Sequence, residues 1–243
     1  MISDQQEEQR KQADLLAQLN QIHLKRLEKD QDLESSIQAM DMASRLQFSV
    51  PEVFDVQKET QATRDLYVDS EFGKGCLIAR RLIEEGVRVV QLYHSIDGYD
   101  IAWDTGHENI YHHRELAHKC DQGIAALIRD LKERGMLDET LVIWGGEFGR
   151  TAYSQGALGN GRDHHGRCFS MWLAGGGIQG GVTYGETDDF AYNIARDPVH
   201  IRDLNATMLH CLGIDHERFS YRFQGLDQRL TGVEHAHVVK GVL

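Results

Sequence analysis

Val87-Arg88-Val89-Val90-Gln91-Leu92-Tyr93 is the stretch on which the reading of the fold turns. It is apolar at most positions, bounded by Gly86 before it and His94 after it. A run of this length and composition reads as a central strand of a parallel sheet, whose two faces are both covered. A helix over Phe72–Glu85 precedes it, with Leu77, Ile78, Leu82 and Ile83 inward and Gly86 as C-cap. A long helix over Arg114–Arg134 follows, closed by Gly135. Strands are then expected over Thr140–Trp144 and Phe169–Ala174, and a helix over Ile201–Leu212 ending at Gly213. Val182-Thr183-Tyr184 reads as one more strand. Strand, helix, strand, loop, strand, helix in this order implies an α/β protein: a doubly wound, mostly parallel sheet flanked by helices.

Residues 1–48 contain neither Pro nor Gly. Leu15, Leu16, Leu19, Ile22 and Leu27, then Leu33, Ile37, Met40 and Leu46, recur at helical spacing. This is one or two amphipathic helices, jointed at Lys29-Asp30-Gln31-Asp32 and ended by Pro51. The expected organisation is a single domain over residues 1–243: helices in 1–50 packing on an α/β core at 72–230, with 231–243 as a surface tail. A chain of 243 residues can bury a core of that size.

A formal charge of −12 with no cluster of Lys and Arg excludes nucleic acid as a partner. No apolar run approaches the roughly 20 residues of a membrane span, and the polar start Met1-Ile2-Ser3-Asp4 is no signal peptide. Cys76, Cys120, Cys168 and Cys211 are far apart and form no C-x-x-C pair, so they read as buried free thiols.

Seven of the thirteen histidines, His94, His107, His112, His113, His118, His164 and His165, fall between residues 94 and 165, the stretch that also carries the loops leaving these strands. Active sites of open α/β sheets form beyond the carboxyl ends of the strands, and imidazole with carboxylate is what a divalent metal takes. Trp103-Asp104-Thr105-Gly106-His107-Glu108 places Asp and His three apart in a glycine-containing loop; a polar loop with an N-cap aspartate would look the same. Trp144-Gly145-Gly146-Glu147-Phe148-Gly149-Arg150-Thr151 sets Glu147 at a strand exit, where a buried carboxylate needs Arg150 or a cation. Gly159-Asn160-Gly161-Arg162-Asp163-His164-His165-Gly166 carries adjacent histidines that point different ways, so one would ligate and the other would anchor the loop or contact substrate; a flexible polar loop before a strand would look the same. His112, His113 and His118 start a helix and read as solvated or lid residues. No G-x-S-x-G, no P-loop and no G-x-G-x-x-G opening a helix after a strand is present.

At these residues the chain resembles the DUF1501 family, sulfatase-like proteins of the alkaline phosphatase superfamily abundant in planctomycete-type bacteria. The pieces that carry the resemblance are Ala79–Arg88, Trp144–Thr151, Gly161–His165 and Gly185-Glu186-Thr187-Asp188. It implies Asp104 and His107 as one ligand pair, Glu147 as the next ligand, and His164 or His165 as the last. The cofactor it implies is a divalent metal ion, zinc first, with manganese, calcium or magnesium as the other candidates. Arg150 and Arg162 would clamp an anionic small-molecule or glycan substrate. Phe148 stands where the superfamily has a histidine, which would leave a second metal short of a ligand. The superfamily's first metal-binding Asp and its nucleophile come from an N-terminal stretch that the polar helix here does not match. The resemblance therefore implies the C-terminal part of a longer, exported or periplasmic protein. Two functions compete: a metal-dependent hydrolase of sulfate or phosphate esters, incomplete in this chain, and a non-catalytic metal- or glycan-binding module.

Overall fold

The structure is a computed structural model. It describes residues 8, 11–12, 14–16, 18–20, 22, 31–94, 103–104, 112–155 and 160–243. It is a mixture of helix and short strand. Among the described residues its helices include α1 over Gln31–Phe54, α2 over Gln61–Tyr67, α3 over Glu71–Glu84, α4 over His112–Glu133 and α5 over Ile201–Cys211. The chain divides into two compact units, residues 1–64 with 77–91, and 65–76 with 92–243, the division falling inside α2 and α3. Among the described residues no helix is long and apolar enough to cross a membrane.

The helices start and stop where local chemistry dictates. Ser70 opens α3: its hydroxyl accepts from the Gly73 amide at 3.0 Å. At the other end Val87 N donates to Leu82 O and Gly86 N to Ile83 O, a Schellman stop that needs the φ of 86° found at Gly86. The same pair of bonds closes α4 at Gly135. Pro51 does not end α1; it lies inside the helix, which runs on to Phe54. A proline in the last turn removes one amide bond and leaves the preceding turns intact.

In the first unit Arg80 and Arg81, from one of the sequence pieces singled out above, bind the 52–59 segment. Arg80 is almost wholly buried and pairs with Glu59 at 2.8 Å and with Glu84. Arg81 donates to the Val53 carbonyl at 2.8 Å and to the Glu52 carbonyl at 2.6 Å. Burial acts to raise the Glu59 pKa, but the two guanidinium groups outweigh it and hold the carboxyl below its ordinary value. Of the stripe expected to pack inward, Leu15, Leu16, Leu19, Ile22 and Met40 are exposed and Ile37 is half-buried.

In the second unit α4 buries Leu116, Cys120, Gly123, Ala126 and Leu131 on one stripe. Gly123 lies so close to Gly73 that a Cβ there would sit 3.2 Å from the Gly73 Cα. Tyr67, fully buried, donates its hydroxyl to Asp130 at 2.9 Å, and Arg134 pairs with the other Asp130 oxygen at 2.7 Å. Burial pushes the Cys76 thiol up to about 12, so it is an inert apolar filler. Cys120 and Cys168 are buried free thiols too, and Cys211 is half-buried.

The expected parallel sheet is corrected by the strands. Eight short strands form four antiparallel pairs among the described residues. β1 (Val142–Trp144) pairs with β4 (Trp172–Ala174), and β2 (Gly149–Arg150) with β3 (His164–His165). β5 (Glu186–Thr187) pairs with β6 (Ile194–Arg196), and β7 (Ser220–Phe223) with β8 (Leu226–Arg229). The cause lies in the connections. Among the described residues no helix separates β1 from β4, and without a crossover helix the chain returns antiparallel. The inner pair β2–β3 lies within the outer pair β1–β4, making one interrupted two-stranded ribbon from 142 to 174. Val87–Tyr93 takes no strand pairing, and Val89 and Tyr93 are about three-quarters exposed. Val182–Tyr184 is not a strand either; the pairing begins at Glu186. Within the 231–243 tail Thr231 and Ala236 are buried, and the His237 and Val239 amides bind Asp203 and Thr207 of α5.

Candidate functional site

The β2–β3 pair sets two neighbours with different fates. Arg150 stands directly opposite His164, and Gly149 opposite His165. Side chains alternate across a strand, so Arg150 and His164 share one face while His165 takes the other. Gly149 has to be glycine, because a Cβ there would collide with the Cys168 backbone. On the first face, the Asp104 carboxylate joins the ribbon from its own loop. One of its oxygens accepts from Arg150 Nη1 at 2.8 Å, and the other from His164 Nε2 at 3.2 Å. Glu147 is 3.7 Å from Arg150 Nη2. Three of the loops singled out in the sequence thus converge on one point.

Phe148 forms the floor. Its ring centroid lies 4.4 Å from that of His164, and the Arg150 guanidinium sits 5.3 Å from it. Phe148 is thus an aromatic platform for two cationic or polar groups. Glu147 is mostly exposed, so the buried carboxylate expected at the strand exit is instead a solvated one beside Arg150.

Burial of its surroundings acts to raise the Asp104 pKa. The hydrogen bonds and charges of Arg150 and His164 outweigh this and hold the carboxyl below the ordinary range. Asp104 is therefore ionised at neutral pH, with both oxygens oriented.

The remaining expected site residues are placed elsewhere. His165 is buried, donates to the Tyr192 carbonyl at 2.6 Å and stacks on the Tyr192 ring at 4.7 Å. It anchors the 188–193 turn and does not face Asp104. That turn is built on Asp188, whose carboxylate accepts from the Tyr192 and Asn193 amides at 2.8 and 3.0 Å. Arg162 donates to the neighbouring Gly161 carbonyl at 2.7 Å and is not brought to the cluster by any described bond. Asp163 is buried and accepts from the Gln155 amide. Thr151 is buried too; its hydroxyl donates to the Tyr153 carbonyl and accepts from the Asp163 amide at 3.0 Å. His107 lies outside the described residues.

Two histidines not assigned a ligand role from sequence support the site from behind. Trp103, next to Asp104, donates its indole N–H to His94 Nδ1 at 2.9 Å, and its carbonyl accepts from His113 Nε2 at 2.8 Å. Phe72 packs edge-on against His94 at 4.9 Å, and Trp144 against Trp103 at 6.3 Å. Burial, with a smaller effect from the Lys119 charge, lowers the His94 pKa. A neutral ring keeps Nδ1 free to accept. No local sequence signal marks this role, because only the tertiary fold brings His94 and His113 to Trp103.

Two liganding groups of one ion, each roughly 2.0–2.2 Å from it, stand about 3.0–3.5 Å apart in tetrahedral or octahedral geometry. Asp104 and His164 at 3.2 Å fit such a pair. A catalytic zinc site takes three protein ligands, and no set of three or more His, Cys, Asp or Glu placed to hold a metal occurs among the described residues.

Neither curated proteins nor solved structures give a match to the chain. A family model does, over residues 3–243, and its description is "Protein of unknown function (DUF1501)". With nearly the whole chain matched, the protein belongs to the DUF1501 family.

Proposed function

We propose that Asp104, His164 and Arg150 form the anion-handling centre of a metal-dependent hydrolase of sulfate or phosphate esters, kin to the sulfatase-like branch of the alkaline phosphatase superfamily. The observation that carries the reading is the shared Asp104 carboxylate, with one oxygen toward His164 and the other held by Arg150. Asp104 and His164 would hold one divalent ion, zinc first, and Glu147 or His107 would complete its set. When bound, the ion would polarise the ester oxygen and stabilise the charge that develops on it. Arg150 would orient Asp104 with one N–H and offer its remaining donors to the anionic group, in the fork geometry that suits sulfate and phosphate. Phe148 would keep the guanidinium and imidazole planes in register beneath the substrate. The Thr151 hydroxyl, bonded on both sides, is assigned no part in the attack.

A second reading, a glycan-binding module without catalysis, has its own observation. Tyr153 and Tyr192 are about half exposed and stack at 6.2 Å, a flat aromatic surface of the kind that sugar rings cover.

Titration calorimetry with zinc, manganese and calcium, on the chain and on Asp104→Ala and His164→Ala, tests the first reading, together with turnover of p-nitrophenyl phosphate and sulfate. Metal binding lost in both variants supports it. Metal affinity unchanged by either substitution overturns it, and oligosaccharide binding lost in Tyr192→Ala would favour the second.

A further inference from the structure

We propose that the protein self-associates through the outer edge of β7, pairing that strand antiparallel with the β7 of a second copy. The hairpin β7–β8 turns at Gln224-Gly225, both with positive φ, as a two-residue turn requires. In such a hairpin Phe223 and Leu226 exchange hydrogen bonds, as do Tyr221 and Gln228, while Ser220 and Arg222 turn their amide and carbonyl groups outward. Among the described residues nothing binds those outward groups. The other edge is closed at one point, because the Arg229 carbonyl accepts from the Gly232 amide at 3.0 Å. A lone two-stranded ribbon is marginal in water, and an open edge is a template for another strand.

The sequence of this edge is complementary to itself. Phe219-Ser220-Tyr221-Arg222-Phe223 alternates aromatic and polar residues symmetrically about Tyr221. The hydrogen-bonding parity allows only registers in which outward groups meet outward groups. Centred on Tyr221, Ser220 meets Arg222 of the second copy, and each such pair exchanges two bonds. Phe219 then lies opposite Phe223, and Tyr221 opposite Tyr221. Centring on Arg222 would set Arg222 against itself, and centring on Ser220 would set Arg218 against Arg222. Like charges directly opposite disfavour both. Charge thus selects the one register that also aligns the aromatic rings. Phe219, Tyr221, Phe223, Leu226 and Leu230 are all exposed, so these side chains are free to meet a partner. A second copy is favoured over an unrelated strand because this pattern matches itself.

The test is sedimentation equilibrium of the whole chain at roughly physiological ionic strength, where a Debye length of about 8 Å screens the −12 charge of each copy. A concentration-dependent dimer is expected. Ser220→Pro removes an outward amide at the start of the strand and leaves the hairpin bonds intact; it should abolish the dimer without changing the circular dichroism. Tyr221→Cys should crosslink copies under mild oxidation, since facing residues of a non-hydrogen-bonded pair bring their Cβ atoms close, whereas Arg222→Cys should not. A monomer at every concentration overturns the proposal. So does a dimer that survives Ser220→Pro, or one in which Arg222→Cys crosslinks and Tyr221→Cys does not.

Discussion

Asp104 and His164 are 60 residues apart in the chain, yet the Asp104 carboxylate faces the His164 imidazole at 3.2 Å. Arg150 holds the second oxygen of the same carboxylate at 2.8 Å. One residue on, His165 points the other way and is buried against Tyr192. The two-residue period of a strand therefore divides a His-His pair into a site residue and an anchor.

Asp104→Asn should cost about 1–2 kcal/mol at neutral pH, since it weakens charge-assisted bonds to two partners that stay in place. The pH dependence follows from the lowered Asp104 pKa. A carboxylate whose folded pKa is depressed contributes fully above its unfolded value of about 3.9, and loses that contribution as the pH falls through the folded value. The deficit of the variant should thus be constant near neutrality and shrink below about pH 4. Urea unfolding at several pH values reads both; a deficit that grows on acidification would contradict the assigned ion pairs.

His94 gives a switch in a different range. Its folded pKa lies below the unfolded value of about 6.5, so its contribution is present above that value and is lost as the pH falls through the folded one. Protonation of Nδ1 also ends the bond from the Trp103 indole. Tryptophan emission should therefore change on acidification in the native state, and the change should be absent in His94→Phe, which itself should cost about 1 kcal/mol for the lost bond. Emission that titrates equally in the variant would assign the signal to another group.

The helices and the site were legible in the sequence to different degrees. Gly86 and Gly135 mark helix ends because the stop is a local event, two hydrogen bonds and one φ. Asp104, Glu147 and His164 stood out in glycine-containing polar loops beside apolar runs; their meeting with Arg150 comes from an antiparallel pairing, not from the edge of the expected parallel sheet. The antiparallel pairing of β1 with β4 was not readable, since apolar composition sets β-propensity while the neighbour sets direction. Val87–Tyr93 has the composition of a central strand and no partner strand among the described residues. The supporting roles of His94 and His113 were invisible for the same reason: they depend on where Trp103 comes to lie. The β7–β8 hairpin escaped because Gln224-Gly225 is a weaker turn signal than Asn-Gly or Asp-Gly.

Tyr67→Phe should destabilise the second unit by about 1–3 kcal/mol, the range for stripping a partner from a buried polar group. Tyr67 is fully buried and its hydroxyl binds Asp130, which is itself buried. Thermal unfolding of the whole chain measures this. A change below about 0.5 kcal/mol would show that Asp130 finds full compensation from Arg134 and its other neighbours.

The two adjacent histidines should separate binding from stability. His164 is about half exposed and among the described residues its ring bonds Asp104 alone, so His164→Ala should cost less than about 1 kcal/mol, as exposed pairs do. His165 is buried, stacked and bonded to the Tyr192 carbonyl, so His165→Ala should cost about 2–4 kcal/mol through lost packing and an unpaired carbonyl. The functional effects should run in the opposite order. Zinc affinity should fall in His164→Ala, because one of two facing donors is gone. In His165→Ala, measured well below its lowered unfolding temperature, it should be nearly retained, because Asp104 and His164 still face each other. Calorimetric titration beside thermal unfolding for both variants gives the four numbers needed. If both lose zinc equally while folded, the anchor and the ligand are not separable and the alternation across β3 does not govern the site. If neither loses it, the ion is held elsewhere and Asp104–His164 is a hydrogen bond that fastens the 103–104 loop to the ribbon.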